Sequence, residues 1–341
     1  MNIVLGEYVK NGYTAGNKAR EDVINILKKN NYMHIPLYRS GSSKIIILCQ
    51  VIRALLISIA ICNKHENIFI QYPYYPFLCN VIIVKILKAG QKIKKYSITM
   101  LIHDSMGLRN LKIENDIMNK ELSLFDNMDI VICHNEEMKA AFNRTNDSKY
   151  KVLEVFDYLC SSDVLMRKRS YDYNNQTIVI AGNLTKEKCG YIYNLDKIHM
   201  RFNLYGASYD NSIIRNEIHY CGAYNPDELV TILDGDFGLV WDGNDCESCT
   251  GVYGEYLKYN NPHKFSLYLA AGIPVIVWKQ SALAKYVSEK KIGICINSLY
   301  EISEKVNEIS IEQYNLMKKN VNIIQQSIIN GMHLTNIIKD I

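Results

Sequence analysis

Two stretches of the chain hold residues whose types and spacing suit chemistry. In the first half an apolar run over residues 96–102 ends in His103-Asp104, with Leu108-Arg109 just beyond. A carboxylate beside an imidazole at the end of a buried strand can take a proton from a hydroxyl nucleophile, which makes Asp104, with His103 second, the candidate general base. The same aspartate would serve equally as the cap of a following helix. In the second half residues 260–278 read NNPHKFSLYLAAGIPVIVW. Asn260 and Asn261 are N-cap types, Pro262 fits a first helical turn, Phe265 and Leu269 give an apolar face, and Gly272 and Pro274 stop the helix. A helix opening on His263, Lys264, Phe265 and Ser266 offers backbone N–H groups, the positive end of its dipole and an ammonium at one point, a set that suits a diphosphate. Without a ligand the same residues would be a capped surface helix with a solvated lysine.

Smaller signals lie between and before these stretches. Gly182-Asn183 ends an apolar run, with Lys186 and Lys188 just after it, and Tyr224 precedes Asn225-Pro226, placed to stack on a base. Gly6, Gly12 and Gly16 break up a loop between the first strand and the first helix, in a spacing that is neither the dinucleotide fingerprint nor a Walker A motif. The triplet Asp234-Gly235-Asp236 has the form of a metal-binding D-x-D but sits in a turn ahead of a strand. Cys246 and Cys249 have half of a zinc spacing with no second pair nearby. Neither is expected to hold a metal.

The elements that must position these groups alternate between strand and helix. Strands are predicted near residues 2–5, 67–71, 96–102, 129–133, 151–155, 177–181, 202–205, 237–241, 275–278 and 292–296, with helical patterns between them. Such alternation predicts a doubly wound α/β fold with parallel sheets, whose ligands bind at the carboxyl ends of the strands. Residues 161–175, SSDVLMRKRSYDYNN, are polar and without period, so they read as a linker between domains at 1–160 and 176–341, with the last helix able to pack back on the first domain. Residues 45–62 are long and apolar enough to cross a membrane. Gln50 and Arg53 in their middle favour a buried helix of the α/β domain instead. The aromatic loop Tyr72-Pro73-Tyr74-Tyr75-Pro76 suits either a sugar ring or a core cover.

Composition sets outer limits. A chain of 341 residues with 48% hydrophobic and 22% charged residues is a folded protein of about two domains. Its 10 cysteines fall without framework spacing, and its start lacks a basic region followed by an apolar core, so a reducing cytoplasm and no signal peptide are expected. The net charge of +4 is uneven: residues 1–150 carry 20 Lys+Arg against 13 Asp+Glu, and the remainder is net negative. Lys85, Lys88, Lys92, Lys94 and Lys95 follow one apolar run, which reads as a solvated helix end or as an attraction to anionic lipid headgroups or a lipid-linked pyrophosphate. No interleaving of aromatic and basic residues points to nucleic acid.

The segments IHDSMGLR, VICHNEEM, FDYLCSSDV, IAGNLTKEKC, FGLVWDG, CTGVYGEYLKYNNPHKFSLYLAAGIPVIVW and SALAKYV resemble the bacterial β-1,6-galactofuranosyltransferases of O-antigen assembly, and more distantly the glucosyltransferase-3-like enzymes that extend adhesin glycans. The resemblance implies a GT-B fold, two Rossmann-like domains facing across a cleft, and a UDP-sugar donor. It places Gly16 near the donor, Lys186 or Lys188 on the diphosphate, Tyr224 near the nucleotide and the turn at 263–266 on the phosphates. It implies an inverting transfer of galactofuranose. The helix N-terminus with Lys264 can stabilise a diphosphate leaving group with no bound metal or other cofactor, and the basic first half suits a glycan acceptor on undecaprenyl pyrophosphate at the cytoplasmic face of the inner membrane. A glucosyltransferase acting on a glycoprotein glycan, a nucleotide-sugar epimerase and a catalytically silent glycan-binding partner are the rival readings. Monomer and homo-oligomer are both left open.

Overall fold

The computed structural model describes residues 1–8, 15–38, 43–110, 115–160, 175–210, 212 and 217–341. The expected linker at 161–175 lies outside the described residues save for Asn175. The chain divides into two compact units, Met1–Glu154 with His333–Ile341, and Val155–Met332. The division precedes residue 160 because Tyr158 is held within the second unit, its N–H donating to Ile328 O at 3.1 Å and its hydroxyl to Pro226 O at 2.7 Å. The closing helix joins the first unit, where Asn30 Nδ2 donates to Thr335 Oγ1 at 3.2 Å.

In the first unit the strands are β1 (Ile3–Tyr8), β2 (Met33–Tyr38), β3 (Asn67–Tyr72), β4 (Ser97–Ile102), β5 (Ile130–Cys133) and β6 (Tyr150–Val152). They form one parallel sheet in the order β2-β1-β3-β4-β5-β6. The helices are α1 (Ala15–Lys29), α2 (Lys44–Ile61), α3 (Phe77–Lys94), α4 (Met106–Arg109), α5 (Asn115–Phe125) and α6 (Glu136–Ala141). The central strands β3 and β4 are buried almost throughout and mostly apolar, as parallel strands covered on both faces are.

The second unit repeats the plan. Strands β7 (Thr177–Ala181), β8 (Arg201–Tyr205), β9 (Ile218–Gly222), β10 (Phe237–Val240), β11 (Val275–Trp278) and β12 (Gly293–Ile296) form a parallel sheet in the order β12-β11-β10-β7-β8-β9. Read from β9 this is the Rossmann order, with its reversal between β7 and β10. The helices are α7 (Lys186–Cys189), α8 (Pro226–Ile232), α9 (Gly251–Tyr256), α10 (His263–Ala270), α11 (Leu283–Lys290), α12 (Ile302–Asn307) and α13 (Ile311–Ile329), with α14 (Met332–Lys339) closing the chain.

Two expectations need correction. Residues 45–62 are helical, but the helix is not buried: only Val51, Ala54, Leu55 and Ser58 of α2 are, and Ile45 and Leu56 are 72% and 58% exposed. One face is enough to cover a sheet, so the apolar residues on the other face have another cause. The cap of α10 is Pro262, not Asn260 or Asn261, and no side-chain cap hydrogen bond is made there.

Candidate active site

In the second unit the strand order reverses between β7 and β10, whose carboxyl ends carry Gly182-Asn183 and Trp241-Asp242-Gly243. Tyr268 of α10 ties the helix to both strands. Its hydroxyl accepts from Ala181 N at 2.8 Å and donates to Leu239 O at 3.2 Å. The ring lies over Gly238, where an added Cβ would stand 2.2 Å from it, so only glycine admits the tyrosine. This anchor brings Lys264 to the end of β10, where Nζ donates to Asp242 Oδ1 at 2.7 Å and to Trp241 O at 2.9 Å. Both side chains of the pair are buried. Burial alone would lower the pKa of Lys264, but Asp242, with Cys189 and Tyr268 near it, outweighs burial and the net shift is upward. The ammonium is therefore charged and neutralised in place, which removes the solvated-lysine reading.

The rest of the turn is also built inward. Phe265 is fully buried with its ring 6.2 Å from that of Tyr286, Ser266 is buried, and His263 stacks on Tyr158 at 4.9 Å. What such a turn offers an anion is chiefly its backbone N–H groups and the helix dipole.

After β7, Asn183 Oδ1 accepts from Thr185 N at 3.1 Å and opens α7. This turn is joined to the end of β10 by Gly243 N, which donates to Lys188 O at 2.7 Å. Lys188 Nζ sits 5.6 Å from the centre of the Tyr253 ring. Lys186 turns away to Asp210 at 3.3 Å, after β8, and Tyr224, largely exposed, follows β9 with its ring 6.4 Å from Tyr205. The structure thus gathers Asn183, Lys188, His263 and Lys264 near the β7–β10 reversal, and puts Lys186 and Tyr224 on the β8–β9 side.

In the first unit β4 delivers His103 and Asp104. His103 Nε2 lies 2.7 Å from Gln71 Oε1, an atom that can only accept, so Nε2 carries the proton. Gln71 Nε2 reaches back to Arg20 O at 3.4 Å, and Arg20 Nη2 donates to Pro73 O at 2.7 Å, so the ends of β3 and β4 and the helix after β1 form one network. Arg109 Nη2 donates to Asp104 Oδ1 at 2.6 Å, with the Asp104 side chain 39% exposed. Asp104 is not the cap of α4: that role belongs to Ser105, whose Oγ accepts from Leu108 N at 3.1 Å. Gly16 is exposed on the first turn of α1, with no atom within 4 Å of an added Cβ.

Two buried groups that were not among the candidate site residues shape this end. Glu121 of α5, fully buried, accepts from Tyr72 Oη at 2.8 Å, Ser105 Oγ at 2.5 Å, Met106 N at 2.7 Å and Gly107 N at 2.9 Å. It clamps the loop that presents Asp104. His134, at the end of β5, is buried with Nε2 3.0 Å from Ile102 O. Burial pushes its pKa down to about 4 against the opposing pull of Asp104, so it is neutral near pH 7.

The two discounted motifs have structural uses. Asp236 lies at the amino end of β10, where Oδ2 accepts from Thr177 N at 2.8 Å. The Cys246 and Cys249 thiols are buried and pushed up, Cys246 to about 11. Among the described residues no three or more His, Cys, Asp or Glu side chains gather as a metal-ligand set.

Two parallel-sheet units of this kind make up the GT-B fold, and comparison with solved structures bears the fold out. The chain superimposes on a trehalose-6-phosphate protein from E. coli bound with UDP-2-fluoro glucose at TM-score 0.63 and 9% identity, covering 99% of this chain and 98% of the other. It also superimposes on WaaG, a glycosyltransferase involved in lipopolysaccharide biosynthesis, at TM-score 0.51 and 10% identity, covering 98% of each chain. At such identities the likeness is one of fold. The chain belongs to the glucosyltransferase 3-like family: residues 1–155 match its N-terminal domain and residues 178–341 its C-terminal domain. It is 31% identical over 336 residues to the β-1,6-galactofuranosyltransferase WbbI of Escherichia coli (strain K12), covering 96% of this chain and 94% of that protein. The protein is a glycosyltransferase.

Proposed function

We propose that the enzyme moves galactofuranose from UDP, with inversion and without a bound metal, to a hydroxyl of a glycan carried on undecaprenyl pyrophosphate at the cytoplasmic face of the membrane. The observation that carries the donor assignment is the junction of β10 and α10. A helix N-terminus is pinned by Tyr268 and by the Lys264–Asp242 pair beside the glycine turn after β7, at the reversal of a Rossmann-ordered sheet. Such a place stabilises a diphosphate through backbone N–H groups and the helix dipole, and can do so as charge develops on the leaving UDP. Lys264 then holds the helix more than it contacts the phosphates, while Lys188 is the nearer mobile cation. The sugar is assigned from the likeness to the galactofuranosyltransferase over nearly the whole chain.

In the transfer the acceptor oxygen attacks the anomeric carbon from the face opposite UDP, and the bond to the diphosphate oxygen breaks with its electron pair. Asp104, oriented by Arg109, accepts the acceptor proton. Glucose as the donor sugar is the second reading, favoured by the family match itself.

Calorimetry with UDP, UDP-galactofuranose, UDP-galactopyranose and UDP-glucose, all in EDTA, tests the donor site. UDP should bind, and UDP-galactofuranose should bind best and react once a lipid-linked acceptor is supplied. Binding that requires a divalent metal, or no binding of any of the four, would overturn the proposal. Preference for UDP-glucose would transfer it to the second reading.

A further inference from the structure

The exposed face of α2 continues into that of α3. The two helices cover one face of the first sheet side by side, and at Gly90 an added Cβ would stand 2.8 Å from Ile59 Cδ1, which sets their close approach. Lys94 Nζ of α3 donates to Ala60 O of α2 at 3.2 Å. Away from the sheet α2 presents Ile46, Cys49, Arg53, Leu56, Ile57 and Ala60 at helical spacing. On α3 the outer row is Leu78, Lys85, Ala89 and Lys92, with Leu78 61% exposed and Ile93, at the end of the helix, 82% exposed. The charge on this surface has one sign: residues 43–95 contain eight Lys and Arg against a single acidic residue, Glu66.

α2 is long and apolar enough to cross a bilayer, but its connections forbid it. It joins β2 to β3, both of which pair in parallel with β1, so its 18 residues, about 27 Å of helix, must run back along the sheet. A helix held flat, apolar outward and flanked by lysines suits the boundary between headgroups and acyl chains. A second copy of this chain would bring one strongly net-cationic face against another, which like charges oppose.

We propose that the outer face of α2 and α3 docks on an anionic bilayer, with Ile45, Leu56, Ile57 and Leu78 entering the headgroup layer and Arg53, Lys85 and Lys92 on lipid phosphates. The inference deepens the membrane part of the proposed function. Its test uses no sugar, so it and the transferase assignment can fail separately.

The test is flotation of the full chain with phosphatidylcholine vesicles, with and without phosphatidylglycerol, at low and high salt. Binding should require phosphatidylglycerol and weaken with salt. Lys85→Glu with Lys92→Glu should lower the partition coefficient by ~20-fold or more, since each lysine near an anionic surface is worth about fivefold. Leu56→Gln with Ile57→Gln should lower it at least ~10-fold through lost apolar insertion. All four substitutions are at exposed positions, and unchanged circular dichroism and an unchanged unfolding midpoint of the first unit in both double variants would show that they fold. Equal binding to neutral vesicles, no vesicle binding, or binding unchanged in either double variant would overturn the proposal. So would self-association that Leu56→Gln with Ile57→Gln abolishes while no vesicle binds, since that would assign the face to a second copy.

Discussion

At the carboxyl ends of the two sheets Asp242 and Asp104 stand in opposite surroundings. In the second unit Asp242 is buried and paired with Lys264, which is buried with it. In the first unit Asp104 and its partner Arg109 are both partly exposed. A sealed, neutralised pair cannot exchange protons with a substrate, but it fixes one helix against one strand. A half-exposed carboxylate on a clamped loop contributes little to folding and is free to meet a hydroxyl. In the proposed transfer this contrast divides labour: the second unit would hold a charged ligand on a rigid frame, and the first would supply the group that changes protonation.

The strongest way to break this contrast is to unpair the buried carboxylate. Lys264→Met leaves Asp242 uncompensated, and the second unit should lose about 3–5 kcal/mol by denaturant titration, most of it recovered when Asp242→Leu is added. A loss below ~1 kcal/mol would mean that the pair is not sealed.

Acid should act on the opposite unit. His134 has a folded pKa of about 4, below its unfolded value of about 6.5, so the unfolded chain binds the extra proton first. The stability it contributes is complete above the unfolded value and is lost as pH falls from there towards 4, on the order of 3 kcal/mol in all. Folding free energy measured across that window should therefore fall less in His134→Gln than in the wild type, and an equal slope would contradict the assignment.

A smaller effect is expected at the frame of α10. Gly238→Ala drives a methyl into the Tyr268 ring and should cost about 1–3 kcal/mol while loosening UDP binding. Unchanged stability would mean that α10 is not anchored there. Least of all should Asp104→Asn matter to folding, within ~1 kcal/mol, because its ion pair is only partly buried.

Much of this was legible in the sequence because buried parallel strands are unbroken apolar runs. β7 and β11 fall where periodicity predicts them. The two strands that escaped notice, β2 and β9, each form one edge of their sheet. They carry His34, Pro36 and His219 and are only partly buried, so they lack the apolar run that betrays a central strand. α2 misled in the other direction, since composition reports apolarity but not which neighbour, if any, covers it. At the site, His103 and Asp104 were visible from their place at the end of a strand. Glu121 was not, because nothing in a helix of mixed polarity shows which carboxylate turns inward to collect four donors. Lys264 stood out in the sequence, but its pairing with Asp242, 22 residues away in sequence, depends on how Tyr268 seats the helix over Gly238.

The division of labour is tested most directly by measuring, on one preparation of Asp104→Asn, both UDP affinity by calorimetry and transfer to a lipid-linked acceptor. The account predicts unchanged UDP affinity with transfer reduced by about 10²–10⁴-fold, the range for loss of a general base. Transfer at the wild-type rate, or a UDP affinity that falls together with transfer, would contradict it.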